Sequence, residues 1–328
     1  MTYHRLMPRL SVAALIVVLA LLGTFIYRDR DQLSAYPWQP QPVYIALASI
    51  AHSISLAFTF FAWDRMMRRL SPQGGSSYRT NFAIYYTTSL AKRIPGTVWY
   101  AAGRVALYER LGVNPSLTMA ALVYESALVF LSGLVAIILL VPLALRAGIG
   151  NALTLPGPTA LVALALILAL MVGLMWPGTL ERLINLARRI LKRGAITVQA
   201  GHWDIMFWMV LYLAANLVGA AVGFFCIVNI VYPVSLAHFA PIALIGTISV
   251  VVGLVSFLVP FLPLAREASV TLLLTAYLPL PVTLIAALLF RLVWTVNDAV
   301  WAMLAYRIGL IDATVVSGGD TAEPYPEI

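Results

Sequence analysis

The chain has 328 residues, of which 62% are apolar and 10% charged, and its formal net charge is +8. Soluble domains carry about 25% charged residues, so 21 basic and 13 acidic side chains cannot cover a soluble protein of this length. The mean hydropathy is +0.92. This composition excludes a soluble enzyme and predicts an integral membrane protein. Its positive charge indicates contact with anionic lipid headgroups and orientation of the chain in the membrane rather than nucleic-acid binding.

Cysteines, histidines and nucleotide-binding motifs give little support for cofactor chemistry. The single cysteine, Cys226, lies in an apolar stretch and excludes a disulfide framework or a thiolate metal cage. The four histidines show no HExxH or paired spacing, so we expect no metal site. No GxxxxGK[ST] sequence is present, so we expect neither ATP coupling nor any other cofactor.

Six segments are apolar enough to cross a bilayer, which requires about 20 helical residues. They are residues 10–27, 43–63, 116–145, 159–176, 205–231 and 284–310. The first begins after basic residues, as a signal peptide does, but no small-residue cleavage pattern follows, so it is interpreted as a retained helix. The sequence predicts one all-α polytopic domain over residues 1–311 and a disordered acidic tail over residues 312–328.

Basic residues set the expected topology. They concentrate before the first span, after the second and after the fourth. This distribution predicts a protein of a prokaryotic plasma membrane with both termini on the cytoplasmic side. Residues 179–193 have apolar side chains at helical spacing and basic side chains on the remaining face. This pattern predicts either an interfacial helix on anionic headgroups or an ordinary connecting helix.

Two apolar segments are broken by proline. Residues 80–103 contain Pro95, and residues 236–280 contain Pro260 and Pro263. Proline removes a backbone donor that lipid cannot replace, so broken backbone must lie within protein or face a wet cavity. We therefore expect re-entrant or discontinuous helices at both places.

Each break is followed by a charge and, about 30 residues beyond the proline, by an opposite charge. The first unit, residues 80–145, has Arg104 and Glu125; the second, residues 236–310, has Glu267 and Arg291, with the signs exchanged. Because the expected topology makes the two units enter from opposite sides, they predict an inverted-topology repeat. In transporters such repeats place a site near the midplane.

Charges at this depth cost at least ~2.5–3.5 kcal/mol on insertion scales, so they need partners or water. One interpretation is structural pairing, Glu125 with Arg291 or Arg104 with Glu267. The other is a polar cavity in which arginines bind a phosphate and glutamates pair with or release them. The predicted substrate-binding residues are Lys92, Arg93, Arg104, Glu125, Arg266, Glu267, Arg291 and Asp298. Among them, Lys92 and Arg93 would clamp the headgroup at the cytoplasmic mouth.

Short motifs surround these charges: Leu90-Ala91-Lys92-Arg93-Ile94-Pro95-Gly96, Gly103-Arg104, Tyr124-Glu125-Ser126, Val259-Pro260, Arg266-Glu267 and Leu289-Phe290-Arg291. Their order resembles the flippase-like transmembrane domain of lysylphosphatidylglycerol synthases. The likeness implies a stand-alone member that makes no lysyl-lipid itself, since no aminoacyltransferase domain is attached. Two departures leave room for a different substrate: residues 260–265 replace a usual glycine-rich turn, and Ser126 replaces the arginine that usually follows the first glutamate.

The charges and the resemblance predict a lipid translocase, flippase- or scramblase-like, rather than an enzyme. It would move a phospholipid or a polyprenyl-phosphate-linked sugar. An alternative is an integral-membrane glycosyltransferase using lipid-phosphate sugar donors, suggested by Asp29-Arg30-Asp31 in the first external loop. A third is a non-catalytic partner subunit of such an enzyme. The expected partners are membrane lipids and a glycosyltransferase or lipid-modifying enzyme.

Overall fold

The computed structural model describes residues 37–71, 77–93, 98–147, 178–190, 200–258 and 265–307, with a few isolated positions. Every regular element in these ranges is helical. Five of the helices are long and apolar enough to cross a membrane. The predicted all-α polytopic membrane protein is thus confirmed. The predicted spans at 10–27 and 159–176 and the acidic tail lie almost wholly outside the described residues.

The main helices follow one another with short connections. In chain order they are α1 (Val43–Leu70), α2 (Tyr78–Ser89), α3 (Val98–Glu109), α4 (Pro115–Arg146), α5 (Thr179–Ile190), α6 (His202–Val231), α7 (Phe239–Leu258), α8 (Ala265–Leu274) and α9 (Leu280–Arg307). The predicted spans at 43–63, 116–145, 205–231 and 284–310 correspond to α1, α4, α6 and α9. Helix α5 covers most of the predicted amphipathic segment.

The first broken segment consists of two short helices. Helices α2 and α3 have 12 residues each, about 18 Å of rise and too little to cross a bilayer. A 3-10 turn, Leu90–Arg93, ends the first of them before the undescribed residues 94–97. At the start of α2, the Ser77 hydroxyl accepts a hydrogen bond from the Thr80 backbone N–H and caps the helix.

The second broken segment differs from the first. Helix α7, with the 3-10 turn Leu236–His238 before it, is long enough to cross the membrane, and only α8 is short, with 10 residues. Helix α7 ends at Leu258, before Pro260 and Pro263, and α8 begins at Ala265, so the two helices lie on either side of the predicted break.

The two units exchange their helices. Helix α2 of the first unit packs against α9 of the second, and α4 of the first packs against α7 of the second. The α4–α7 contact is close: a Cβ atom at Gly133 would lie 2.6 Å from Val251 Cγ2. Helices α1 and α6 pack against each other beside these pairs.

Helix α6 changes its hydrogen-bond pattern in the middle. Its central residues, Asn216–Val222, form a π-helix between two α-helical stretches. Ser55 of α1 donates to the carbonyl of Ala215 at 2.8 Å, and Asn216 donates to Ser132 of α4 at 2.8 Å. Side chains of two neighbouring helices thereby satisfy backbone and amide groups at the wide turn, which lipid could not do.

Candidate functional site

The first charged centre, formed by Lys92, Tyr100, Arg104 and Glu125, joins α3 to α4. Arg104 Nη1 lies 2.9 Å from Glu125 Oε2, and the two side chains are 0% and 5% exposed. The Tyr100 hydroxyl donates to the same carboxylate oxygen at 2.7 Å. Arg104 Nε donates to the Thr88 hydroxyl of α2 at 3.1 Å. The buried carboxylate and guanidinium are thus paired by charge and held by neutral donors and acceptors.

Aromatic rings enclose the Arg104 guanidinium. Its Cζ lies 4.2 Å from the ring centroid of Trp63, and 4.5 Å from those of Tyr85 and Tyr100. Cation–π attraction strengthens in such a desolvated site and offsets part of the cost of burying the charge. Arg104 Nη2 is buried and makes no hydrogen bond to the part of the chain that the structure describes. One donor of this arginine therefore faces no protein acceptor there.

Lys92 links this centre to the surface. Its side chain is 39% exposed, and its Nζ lies 3.9 Å from Glu125 Oε1 and 4.4 Å from the Tyr100 ring centroid. The lysine therefore reaches the buried carboxylate from the outer side. The side chain of Arg93, the other half of the predicted clamp, is not among those that the structure describes.

A polar relay supports the first centre from behind. Trp63 Nε1 donates to the Tyr108 hydroxyl at 2.8 Å, which donates to Asn81 Oδ1 at 2.9 Å. Asn81 Nδ2 donates in turn to Asp64 Oδ1 at 2.8 Å. Sequence reasoning missed these residues, although a buried aspartate at the end of an apolar span was a signal. The relay fixes α1, α2 and α3 relative to each other.

The second charged centre, formed by Arg266, Glu267 and Arg291, joins α8 to α9. Arg291 Nη1 lies 2.9 Å from Glu267 Oε1, with the side chains 20% and 17% exposed. Glu267 Oε2 is buried and has no hydrogen-bond partner among the described residues. The Arg266 Cζ lies 4.0 Å from the Phe290 ring centroid and 4.6 Å from that of Trp294. This centre contains the same kinds of group as the first, namely two cations and one carboxylate next to aromatic rings.

The structure corrects the expected pairing of the charges. Arg104 pairs with Glu125 and Glu267 with Arg291, so each pair lies within one unit, 21 and 24 residues apart. Pairing across the units, Glu125 with Arg291 or Arg104 with Glu267, was wrong. The physical reason is that each short helix packs against the long helix that follows it, which brings sequence neighbours together.

Asp298, one of the predicted substrate-binding residues, contacts another helix: its Oδ1 lies 2.9 Å from His52 Nε2 of α1. His52 is a buried histidine with a polar partner. Its ring also stacks on Trp294, with centroids 4.5 Å apart and an interplanar angle of 17°.

Neither metal ligation nor similarity to known proteins assigns a further role to these residues. Within the described ranges, no group of three or more His, Cys, Asp or Glu side chains is arranged to hold a metal ion. The acidic motif Asp29-Arg30-Asp31 lies outside those ranges. No protein-family model matches the sequence, and no curated protein shows significant similarity to it.

Proposed function

We propose that the protein is a lipid translocase that moves a lipid with a phosphodiester headgroup between the leaflets of a prokaryotic plasma membrane. The observation that carries this proposal is the duplicated Arg–Glu contact, which occurs once in each of the two units. Intramembrane ionisable residues are costly, and they mark substrate or ion pathways. The motifs that resemble the flippase-like domain contain both pairs and so support the same function.

The charge of each centre suits a phosphodiester. Lys92, Arg104 and Glu125 together carry one excess positive charge. Arg266, Glu267 and Arg291 also carry one excess positive charge. A phosphodiester, whether in a phospholipid or in a polyprenyl-phosphate sugar, carries one negative charge. Each centre can therefore neutralise one headgroup without a metal ion.

Exchange of partners gives a path for the headgroup. Lys92 is the exposed cation of the first centre and captures the phosphate at its edge. The phosphate then takes the place of the Glu125 carboxylate at Arg104. The planar guanidinium can donate paired hydrogen bonds to a phosphate as well as to a carboxylate. Glu125 keeps its contacts with Tyr100 and Lys92. The same exchange at Arg291 releases Glu267, while the lipid tail stays in the bilayer and no covalent bond changes.

Charge neutralisation tests this proposal. The purified protein is reconstituted in vesicles that contain a fluorescent phosphodiester lipid, and the fraction of that lipid accessible to a membrane-impermeant quencher is followed over time. We expect Glu125→Gln and Arg291→Gln each to slow transbilayer movement at least tenfold. The matched control is Glu109→Gln, an exposed glutamate at the end of α3, which should move lipid at the wild-type rate. Folded Glu125→Gln and Arg291→Gln proteins with wild-type rates would contradict the proposal.

A further inference from the structure

The His52–Asp298 pair is a third buried ionisable site, and the path described above does not use it. His52 Nε2 and Asp298 Oδ1 are 2.9 Å apart, with the side chains 5% and 4% exposed. His52 lies nine residues after the start of α1, and Asp298 nine residues before the end of α9. Both are therefore about 14 Å from a helix end. The pair therefore lies in the interior of two helices that are long and apolar enough to cross a membrane.

The pair lies between the two charged centres. On one side, Trp294 stacks on His52 and also contacts Arg266 of α8. On the other side, Tyr86 of α2 lies within electrostatic range of Asp298. The Tyr86 ring is 5.6 Å from that of Tyr85, which contacts Arg104. Aromatic contacts thus extend from the pair towards an arginine of each centre.

The remaining charged groups nearby are already engaged. Helix α6, which packs against α1, has no Asp, Glu, Lys, Arg or His between Asp204 and its end at Val231; its titratable side chains there are Tyr212 and Cys226. Glu125 of α4 pairs with Arg104 and Lys92, and Glu267 of α8 pairs with Arg291. Among the residues that the structure describes, Tyr86 and, across Trp294, Arg266 are the titratable groups with a recorded interaction with the pair or its stacking partner.

Histidine differs chemically from the arginines of both centres. Arginine stays charged at any physiological pH, whereas histidine ordinarily changes charge between about pH 5 and 8. If the imidazole binds a proton beside the ionised Asp298 carboxylate, the pair changes from net negative to neutral. Intramembrane aspartate and histidine residues of this kind form proton relays in pumps and transporters.

Protonation of His52 would also change the contacts of Arg266 in the second centre. The Trp294 ring contacts both the His52 imidazole and the Arg266 guanidinium. When His52 becomes positive, two cations share one π system and repel each other, so the contact of Arg266 with the ring weakens. A proton at His52 therefore favours release of Arg266 towards a ligand.

We propose that His52 and Asp298 form a membrane-embedded proton-binding site whose occupancy controls the contact between Arg266 and Trp294. Its use in lipid movement rests on the proposed translocase function, but proton binding itself does not. The site would make the rate of headgroup transfer at the second centre depend on pH.

Tryptophan fluorescence tests proton binding directly, because a protonated imidazole stacked on an indole quenches its emission. The Trp294 signal is obtained as the difference between the wild-type protein and Trp294→Phe, measured from pH 5 to pH 8. We expect this difference to rise at least twofold as pH increases. His52→Gln should remove the step, and Asp298→Asn, which removes the carboxylate partner, should shift its midpoint. Exposed His238→Gln is the matched control and should leave the step unchanged.

The outcomes separate this inference from the translocase. A Trp294 signal that stays flat from pH 5 to 8, or a step that persists in folded His52→Gln protein, overturns the proton site whatever the lipid data show. The flat-signal criterion needs no histidine variant, so it holds even if His52→Gln does not fold. A clear step in a protein that moves no lipid at any pH supports the proton site and contradicts the translocase.

Discussion

The first and second centres contain the same Arg–Glu contact at the same distance, 2.9 Å, but in different surroundings. Arg104 is wholly buried within three aromatic rings, whereas Arg291 and Glu267 are each about one-fifth exposed. In a desolvated site an ion pair depends entirely on its partners, while an exposed one is partly solvated. The comparison indicates that the helix packing depends more on the first centre than on the second, and that the second is the more accessible of the two proposed headgroup sites.

The largest difference should appear when the arginines are removed. Arg104→Leu leaves a buried carboxylate that has lost its main partner, and we expect a loss of about 3–5 kcal/mol in the free energy of unfolding. Arg291→Leu should cost less than half of that, since Glu267 is partly exposed. Chemical denaturation in detergent micelles measures both, and equal losses would remove the distinction between the centres.

A smaller effect is expected from the neutral donor of the first centre. Tyr100→Phe removes the 2.7 Å hydrogen bond to Glu125 and keeps the ring under Arg104. Hydrogen bonds to charged groups contribute about 1.5–3 kcal/mol, so unfolding should become easier by about that amount. Tyr78→Phe, at the exposed start of α2, is the control. An unchanged denaturation midpoint for Tyr100→Phe would mean that Glu125 is better solvated than its burial indicates.

Two glycines sharpen the comparison further. A Cβ at Gly253 would lie 3.2 Å from Arg266 Cδ, whereas one at Gly103 would lie 3.9 Å from Thr88 Cγ2, an ordinary contact. Alanine favours a helix over glycine by up to about 1 kcal/mol, so Gly103→Ala should be neutral or stabilising. Gly253→Ala should displace Arg266 and slow lipid movement several-fold. If Gly103→Ala slows movement more than Gly253→Ala, the proposed roles of the centres are reversed.

The smallest effect on stability is expected at the exposed edge. Lys92→Gln removes a solvated contact 3.9 Å from Glu125 and should change the unfolding free energy by less than about 1 kcal/mol. It should still slow the capture of phosphodiester lipid, several-fold at low lipid density and less at high density. The rate of lipid movement as a function of lipid density checks this. Equal slowing at all densities would place Lys92 in the transfer step instead.

The sequence was sufficient for four of the five long apolar helices that the structure describes and for the selection of four charged residues that prove to be paired. Apolar runs located α1, α4, α6 and α9, and the cost of burying charge singled out Arg104, Glu125, Glu267 and Arg291. The pairing could not be predicted, because it depends on how a short helix packs against the next long one. The rings around Arg104 were missed for a similar reason: Trp63, Tyr85 and Tyr100 come from three helices, and no single periodicity connects them.

The exchange of helices between the units has a consequence for biogenesis. Helices α4 and α9 find their main partners in the opposite unit, so neither half can complete its packing while the other is still being synthesised. Each Arg–Glu pair, however, closes within one half, between residues 21 and 24 apart. The charges can therefore enter the bilayer already neutralised in pairs. Arg104 does not depend on a carboxylate that is synthesised more than a hundred residues later.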